Sequence, residues 1–271
     1  MPELPEVETI KKQLENQILS SEIVGILVND ERCFVAGKID IVGEVVKEIR
    51  RVGKYLFVGF ESGRGLQIHL KMTGRVVIEQ NNKNMEYGEA KHTRVVVTLR
   101  DGRRIFYWDT RMFGYIKVLE NVEEAHDDLK EKLGPEPWDI AGIEFMRRLK
   151  KTTRAIKEVI LDQNILTGVG NIYANDGLWL AEINPKRMSK SLGLREVKKL
   201  RASLCQVLER GLLTGGASDN SYVDANGEKG SYQNEFLTYR RTGQACRKCG
   251  EPIKRIVVSG RGTWICEVCQ K

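Results

Sequence analysis

The sequence has 271 residues, with 44 Lys and Arg against 37 Asp and Glu and a formal net charge of +7. That length supports one large domain or two ordinary ones with a real core, and the positive balance points to a polyanionic partner. No apolar run is long enough to span a membrane and no signal-peptide core is present, so a soluble, cytoplasmic protein with no membrane partner is expected.

The first element is a helix over about residues 5–19, because Val7, Ile10, Leu14 and Ile18 recur at helical spacing. Its start, MPELPEVET, supports two readings. Pro5 suits the first helical position, and Glu3, Glu6 and Glu8 suit the positive end of the helix dipole. Alternatively the terminus is chemical. Initiator methionine is commonly trimmed before proline, which would leave Pro2 as a free secondary amine beside Glu3 and Glu6.

Residues 22–119 read as short strands, among them EIVGILV, VVKEIRRVGKYLFVGF, LQIHLKM, RVVIEQ, TRVVVTL, RIFYW and YIKVL. Turn signals such as SGRG and RDGR separate them, and strands at this spacing suggest a sandwich or barrel. The polar segment NNKNMEYGEAK reads as a mobile loop, and the acidic, then Pro-rich stretch 120–139 as an interdomain connection. The period then becomes helical over about 142–151, 154–163, 171–182 and 194–213. Between the second and third of these, Gly168-Val169-Gly170-Asn171 makes a tight turn, with Asn171 where an N-cap would sit. Such a helix start is either a phosphate site or part of an ordinary helical hairpin.

Six cysteines divide cleanly. Cys33 and Cys205 stand alone and read as small, buried or half-buried hydrophobes. Cys246-Arg-Lys-Cys249 and Cys266-Glu-Val-Cys269 are two CxxC knuckles flanking a strand–turn–strand. That spacing predicts a β-hairpin finger with one structural Zn²⁺; two disulfides are the alternative, and nothing suggests secretion. The stretch from Arg240 to the end is strongly basic, with Arg261 at the hairpin tip.

PELPEVET, GKYL at 53–56, HLKMTG at 69–74, RMFG at 111–114, DQNILTGVGNIYAN at 162–175 and the four-cysteine finger occur in one order along essentially the whole chain. In this set the sequence resembles the formamidopyrimidine-DNA glycosylase family of base-excision enzymes. The resemblance implies an α+β multidomain fold. It would have an N-terminal catalytic β-sandwich flanked by helices (1–130), a helix–two-turn–helix bundle carrying a lesion-capping loop (131–232) and a zinc finger (233–271), with DNA in the cleft between the halves. It implies a monomer with no organic cofactor, acting on double-stranded DNA that contains a damaged base or abasic site.

The same resemblance implies roles for residues. Pro2 would be the nucleophile at C1′, Glu3 the proton-transfer carboxylate, and Glu6 its partner in positioning. Lys54 would contact the phosphate beside the lesion. His69 would lie near the DNA backbone, and Met72, Arg111 and Phe113 would fill the gap left by a flipped nucleotide. Lys157, Asn171, Tyr239 and Arg261 resemble a phosphate clamp. Residues 215–232 correspond to the loop over the flipped base, where Ser218, Asn220, Ser221 and Tyr222 would face the lesion. Three features depart from the family pattern: SDNS at 218–221 lacks a common basic residue, Asp176-Gly177 replaces a glutamate and a small residue, and Arg240 replaces a glycine. The rival readings are an endonuclease VIII-type glycosylase for oxidised pyrimidines, which usually begins Pro-Glu-Gly-Pro, and a non-catalytic zinc-ribbon binder of damaged DNA.

Overall fold

A computed structural model describes residues 1–271 apart from Lys38, Asn81, Asn82 and Asn220, and apart from the side chain of Glu89. The chain folds as two compact units, one of Met1–Glu131 with Thr214–Ser231, the other of Lys132–Leu213 with Tyr232–Lys271.

The first unit opens with α1 (Leu4–Ile18). Glu3 is its N-cap, and a reciprocal capping box links the Glu3 side chain to the Glu6 N–H and the Glu6 side chain to the Glu3 N–H. Pro5 is therefore the second helical residue, one place later than the sequence suggests. The physics is unchanged, because that N–H also lacks an intrahelical partner. Val7, Ile10, Leu14 and Ile18 are buried as their spacing predicts.

Nine strands follow: β1 (Ile23–Val28), β2 (Phe34–Val35), β3 (Val46–Val52), β4 (Tyr55–Phe60), β5 (Gly65–His69), β6 (Arg75–Ile78), β7 (Thr93–Leu99), β8 (Arg104–Trp108) and β9 (Tyr115–Leu119). They form a four-stranded sheet, β1-β7-β8-β6, and a five-stranded sheet, β2-β9-β5-β4-β3. Alternate residues from both sheets, such as Ile23, Val95 and Tyr107 on one and Ile49, Val58 and Ile68 on the other, share a core with α1. The sandwich expectation holds. Two local expectations change. Part of the polar segment before β7 forms a short helix, α2 (Glu86–Glu89), while its Asn81 and Asn82 lie outside the described residues. The acidic connection forms α3 (Val122–Lys132), whose Glu123 and Glu124 sit in the first turn, where the dipole favours them.

The second unit contains α4 (Gly142–Lys150), α5 (Ile156–Leu161), α6 (Asn171–Ala181) and α7 (Leu194–Leu213), then the antiparallel hairpin of β10 (Lys254–Val258) and β11 (Arg261–Ile265). Helix α6 is buried over nearly its whole length, including the polar Asn175 and Asp176, so it is the central helix of this unit. The hairpin turns at Ser259 and Gly260, both at positive φ (47° and 74°), the geometry of a tight two-residue β-turn.

The observed division differs from the three expected segments in two ways. The finger shares one compact unit with the helices, and residues 214–231 join the sandwich instead of the helical bundle. The loop joins the sandwich through backbone-directed bonds. Glu6 accepts the Ala217 N–H at 2.7 Å, Gln13 accepts the Ala225 N–H at 2.8 Å, and the Ile78 N–H donates to the Ala225 carbonyl at 2.8 Å. Among the described residues, no helix is long and apolar enough to cross a membrane.

Candidate active site and nucleic-acid interface

In the first unit the chain start is enclosed: Pro2 is buried, and Glu3 and Glu6 are 3% and 1% exposed. Glu6 uses both oxygens, Oε2 for the Glu3 N–H (2.7 Å) and Oε1 for the Ala217 N–H (2.7 Å). One carboxylate therefore ties the start of α1 to the base of the 214–231 loop. Gly216 makes the approach possible, because it has φ +84° and a Cβ there would stand 2.8 Å from Glu6 Cγ. While Met1 is attached the Pro2 nitrogen is an amide; removal of Met1 would create a secondary amine next to Glu3 at the start of a helix whose Glu3 and Glu6 are buried.

Lys54 is buried in the turn between β3 and β4, next to Gly53 at φ +56°. Arg51 donates to the Gly53 carbonyl at 2.8 Å and to Glu8 at 2.7 Å. Glu8 thus anchors the lysine-bearing turn to α1, a role its sequence position did not reveal because the partner is remote in the chain. His69 ends β5 and pairs across the sheet with Tyr55 and Tyr115. Its Nδ1 accepts the Lys71 N–H at 2.9 Å, which places the ring proton on Nε2. Burial, reinforced by the Lys71 and Lys54 charges, pushes its pKa down to about 3. His69 is therefore a neutral donor at physiological pH.

Met72, Arg111 and Phe113 come together as a side-chain cluster. Met72 is 44% exposed and Phe113 is 56% exposed. Arg111 Nη1 lies 3.3 Å from Met72 Sδ, and its guanidinium sits 4.8 Å from the Phe113 ring centroid. Two exposed apolar side chains therefore flank one arginine on the surface of this unit.

The loop residues behave differently from one another. Ser218 donates to the Tyr222 carbonyl at 2.9 Å and accepts the Gly230 N–H at 3.0 Å, so it closes the loop on itself. Tyr222 is buried in the sandwich core, with its hydroxyl donating to the Gly215 carbonyl at 3.1 Å; it anchors the loop and is not a free lesion contact. Ser221 is half-buried. Asn220 lies outside the described residues.

In the second unit the residues of the expected phosphate clamp divide into exposed side chains and internally bonded ones. Lys157 is 1% exposed. Its ammonium donates to Gly262 O (2.9 Å), Thr263 Oγ1 (2.7 Å) and Asn175 Oδ1 (3.4 Å). The expectation that it grips phosphate directly is corrected: its donors are engaged internally, holding the hairpin against α5 and α6. Asn171 is the first residue of α6 and Gly170 is the N-cap, because Gly170 is extended (φ −125°, ψ −164°). Asn171 Nδ2 donates to the same Gly262 carbonyl at 3.2 Å, and Ser259 donates to Glu158 at 2.6 Å. The turn is thus fixed from three sides. Arg261, next to it, is exposed and has no ion pair among the described residues.

Tyr239 is 8% exposed, its ring 4.6 Å from Trp264 and 5.0 Å from Phe236. The segment carrying it is held by Asp176, whose carboxylate accepts from the N–H groups of Leu237 (3.1 Å), Thr238 (2.9 Å) and Tyr239 (3.1 Å) and from the Tyr232 hydroxyl (3.2 Å). Burial raises the Asp176 pKa above the usual carboxylate range, and these donors offset part of that rise. The next residue, Arg240, has φ +55°, a left-handed conformation that glycine adopts at lower cost.

The four finger cysteines place their sulfurs within 4.8 Å of one another. Cys246 and Cys269 are 3.9 Å apart and Cys249 and Cys266 are 3.4 Å apart, close to the about 3.8 Å that tetrahedral Zn–S bonds of about 2.3 Å require. The Trp179 indole N–H donates to Cys246 Sγ at 3.4 Å, supporting that ligand from α6. The cluster is a site for one structural zinc. Cys33 is fully buried, and burial pushes its thiol up to about 11; Cys205 is half-buried.

Three family models match the chain: the formamidopyrimidine-DNA glycosylase N-terminal domain over residues 1–116, the formamidopyrimidine-DNA glycosylase H2TH domain over 133–222, and the zinc finger found in FPG and IleRS over 243–271. A formamidopyrimidine-DNA glycosylase of Desulfitobacterium hafniense is 39% identical over 280 residues, covering 100% of both chains. That of Ligilactobacillus salivarius is 39% identical over 279 residues, covering 100% of this chain and 99% of the other. Among solved structures, a Lactococcus lactis FPG mutant complexed with Fapy-dG-containing DNA superposes with TM-score 0.91 at 33% identity, covering 100% of both chains. The L. lactis enzyme with abasic-site DNA gives 0.89 at 33% identity over 99% of both chains, and the wild-type enzyme with DNA containing an oxidised pyrimidine gives 0.90 at 33% identity over 100% of both. This chain belongs to the formamidopyrimidine-DNA glycosylase family.

Proposed function

We propose that this protein is a bifunctional DNA glycosylase and AP lyase of base excision repair. It excises oxidised purines, 8-oxoguanine and formamidopyrimidines, from double-stranded DNA as a soluble, cytoplasmic, nucleoid-associated monomer. The observation that carries the reading is the enclosed chain start, where Pro2 lies with Glu3 and Glu6 at the N-terminus of α1 and Glu6 is locked by two backbone N–H groups.

The chemistry follows from a secondary amine. An α-amino group has a reference pKa of about 8, so a useful fraction is neutral near pH 7 once Met1 is removed. The Pro2 nitrogen attacks C1′, the bond to the damaged base breaks, and the base leaves protonated as the nitrogen gives up its own proton. Glu3 passes a proton to the sugar ring oxygen, and the sugar opens to a cationic iminium on Pro2. The iminium makes the C2′ proton acidic. Its loss expels the 3′ phosphate, and a second elimination expels the 5′ phosphate. Glu6 keeps the nucleophile in place; Lys54 and the neutral Nε2–H of His69 supply donors to the backbone beside the lesion. Met72, Arg111 and Phe113 occupy the space of the extruded nucleotide, whose unstacking costs a few kcal/mol.

The test is borohydride trapping with Met1-processed protein on duplexes carrying 8-oxoguanine opposite cytosine, against thymine glycol. A covalent adduct with the oxidised purine is expected. Absence of any adduct would leave a non-catalytic binder. Preference for the glycol would shift the assignment to oxidised pyrimidines, a substrate arm made pertinent by the L. lactis complex with that type of lesion.

A further inference from the structure

The wedge side chains stand on two separate turns, residues 70–74 after β5 and residues 109–114 after β8. Nothing in their sequence says what fixes one against the other. Asp109 does so geometrically. It is fully buried, and its Oδ1 accepts the Thr73 hydroxyl and the Arg111 N–H (3.0 Å), while its Oδ2 accepts the Gly114 N–H at 2.9 Å. Thr73 Oγ1 in turn lies 3.2 Å from the Arg111 N–H. One side chain therefore binds the turn bearing Met72 to the turn bearing Arg111 and Phe113.

The surroundings leave little slack. Met112, inside the second turn, has φ +55°, a left-handed conformation that L-residues avoid unless held. Gly74 and Gly114 face the Leu70 carbonyl and the Tyr107 hydroxyl so closely that a Cβ at either position would clash. Asp109 itself is fixed by its own backbone: its N–H donates to the His92 carbonyl (3.0 Å) and its carbonyl accepts from Arg94 Nε (2.8 Å).

We propose that Asp109, working through Thr73, is a positioning residue that presets the Met72–Arg111–Phe113 wedge for insertion when a nucleotide is extruded. The inference rests on the glycosylase reading above. Asp109→Asn keeps the shape but turns an amide donor toward the Gly114 N–H, or toward the Thr73 and Arg111 donors. Thr73→Val removes only the linking hydroxyl.

The experiment compares excision of 8-oxoguanine from a full duplex with excision from the same strand lacking the nucleotide opposite the lesion, where no orphaned base needs a partner. Both variants are expected to melt within a few degrees of the wild type. They should lose about 10²-fold in kcat/KM on the full duplex, the cost typical of a misplaced positioning group, and far less on the gapped substrate. An equal loss on both substrates, or no loss on the full duplex for either variant, would overturn the assignment. A wild-type protein inactive on the full duplex would instead sink the glycosylase reading and this inference with it. Should Asp109→Asn fail to fold, Thr73→Val alone carries the comparison.

Discussion

His69 shows how burial sets the chemistry of a single side chain. A lone strand histidine is usually structural, yet here it is neutral, its tautomer fixed by the Lys71 N–H, with two lysine charges opposing protonation. The folded pKa, about 3, lies below the unfolded value of about 6.5. Between these values the unfolded chain binds more protons. The stabilisation is therefore complete above about pH 6.5 and is lost as pH falls toward 3, at about 1.4 kcal/mol per pH unit. His69→Asn should be less sensitive than the wild type to acidification from pH 6.5 to 5, by about 2 kcal/mol, measured by urea unfolding at each pH. Identical pH slopes would show that His69 is not buried as a neutral base. Asp30, held down to about 2 by Arg32, titrates below this window and does not confuse the comparison.

At the scale of elements, the β10–β11 hairpin sets an exposed cation beside internally bonded supports. Lys157, Asn171 and Glu158 hold its turn from α5 and α6, while Arg261 stays exposed. The two cations should therefore fail differently. Arg261→Ala should leave the melting temperature nearly unchanged and reduce the salt dependence of DNA binding by about one phosphate contact. Lys157→Met leaves Gly262 O and Thr263 Oγ1 without their charged donor and should cost about 1–3 kcal/mol of stability. Calorimetry and binding isotherms over a salt series check both; the opposite pattern would return Lys157 to the direct clamp. Arg240 is a further local cost in this region, since its left-handed φ is one that a glycine would hold with less strain.

Across the whole molecule, the two compact units draw on different stabilising forces. The sandwich unit rests on an apolar core shared by two sheets and α1, and it also holds the 214–231 loop. The second unit adds the four-thiolate site, supported by Trp179 of α6. Because a structural zinc supplies folding energy directly, chelation should expose residues 243–271 to protease and weaken DNA binding. Protection of the β1–β9 amides from hydrogen exchange should persist. Loss of protection across both units together would show that the finger stabilises the sandwich as well.

Much of this was legible in the sequence, for identifiable reasons. Periodicity placed α1, α4, α6 and α7 within a residue or two, because a 3.6-residue stripe has few other uses. β-Branched runs placed the long strands. Two CxxC knuckles fixed the zinc site, since four thiolates at that spacing have one common geometry. Resemblance along the chain marked Met72, Arg111 and Phe113, and the fold brings them together. What the sequence did not disclose is which donor meets which acceptor across long separations. Lys157 became an internal support because Gly262 and Thr263, remote in the chain, present oxygens to its ammonium. The loop went to the sandwich because Glu6 reaches the Ala217 N–H. No sequence signal marked Asp109, because its partners on two turns meet its oxygens only in the fold. Local spacing determines elements and metal knuckles because those interactions span a few residues. The partners of buried polar groups are decided only when the tertiary fold removes water as the alternative partner.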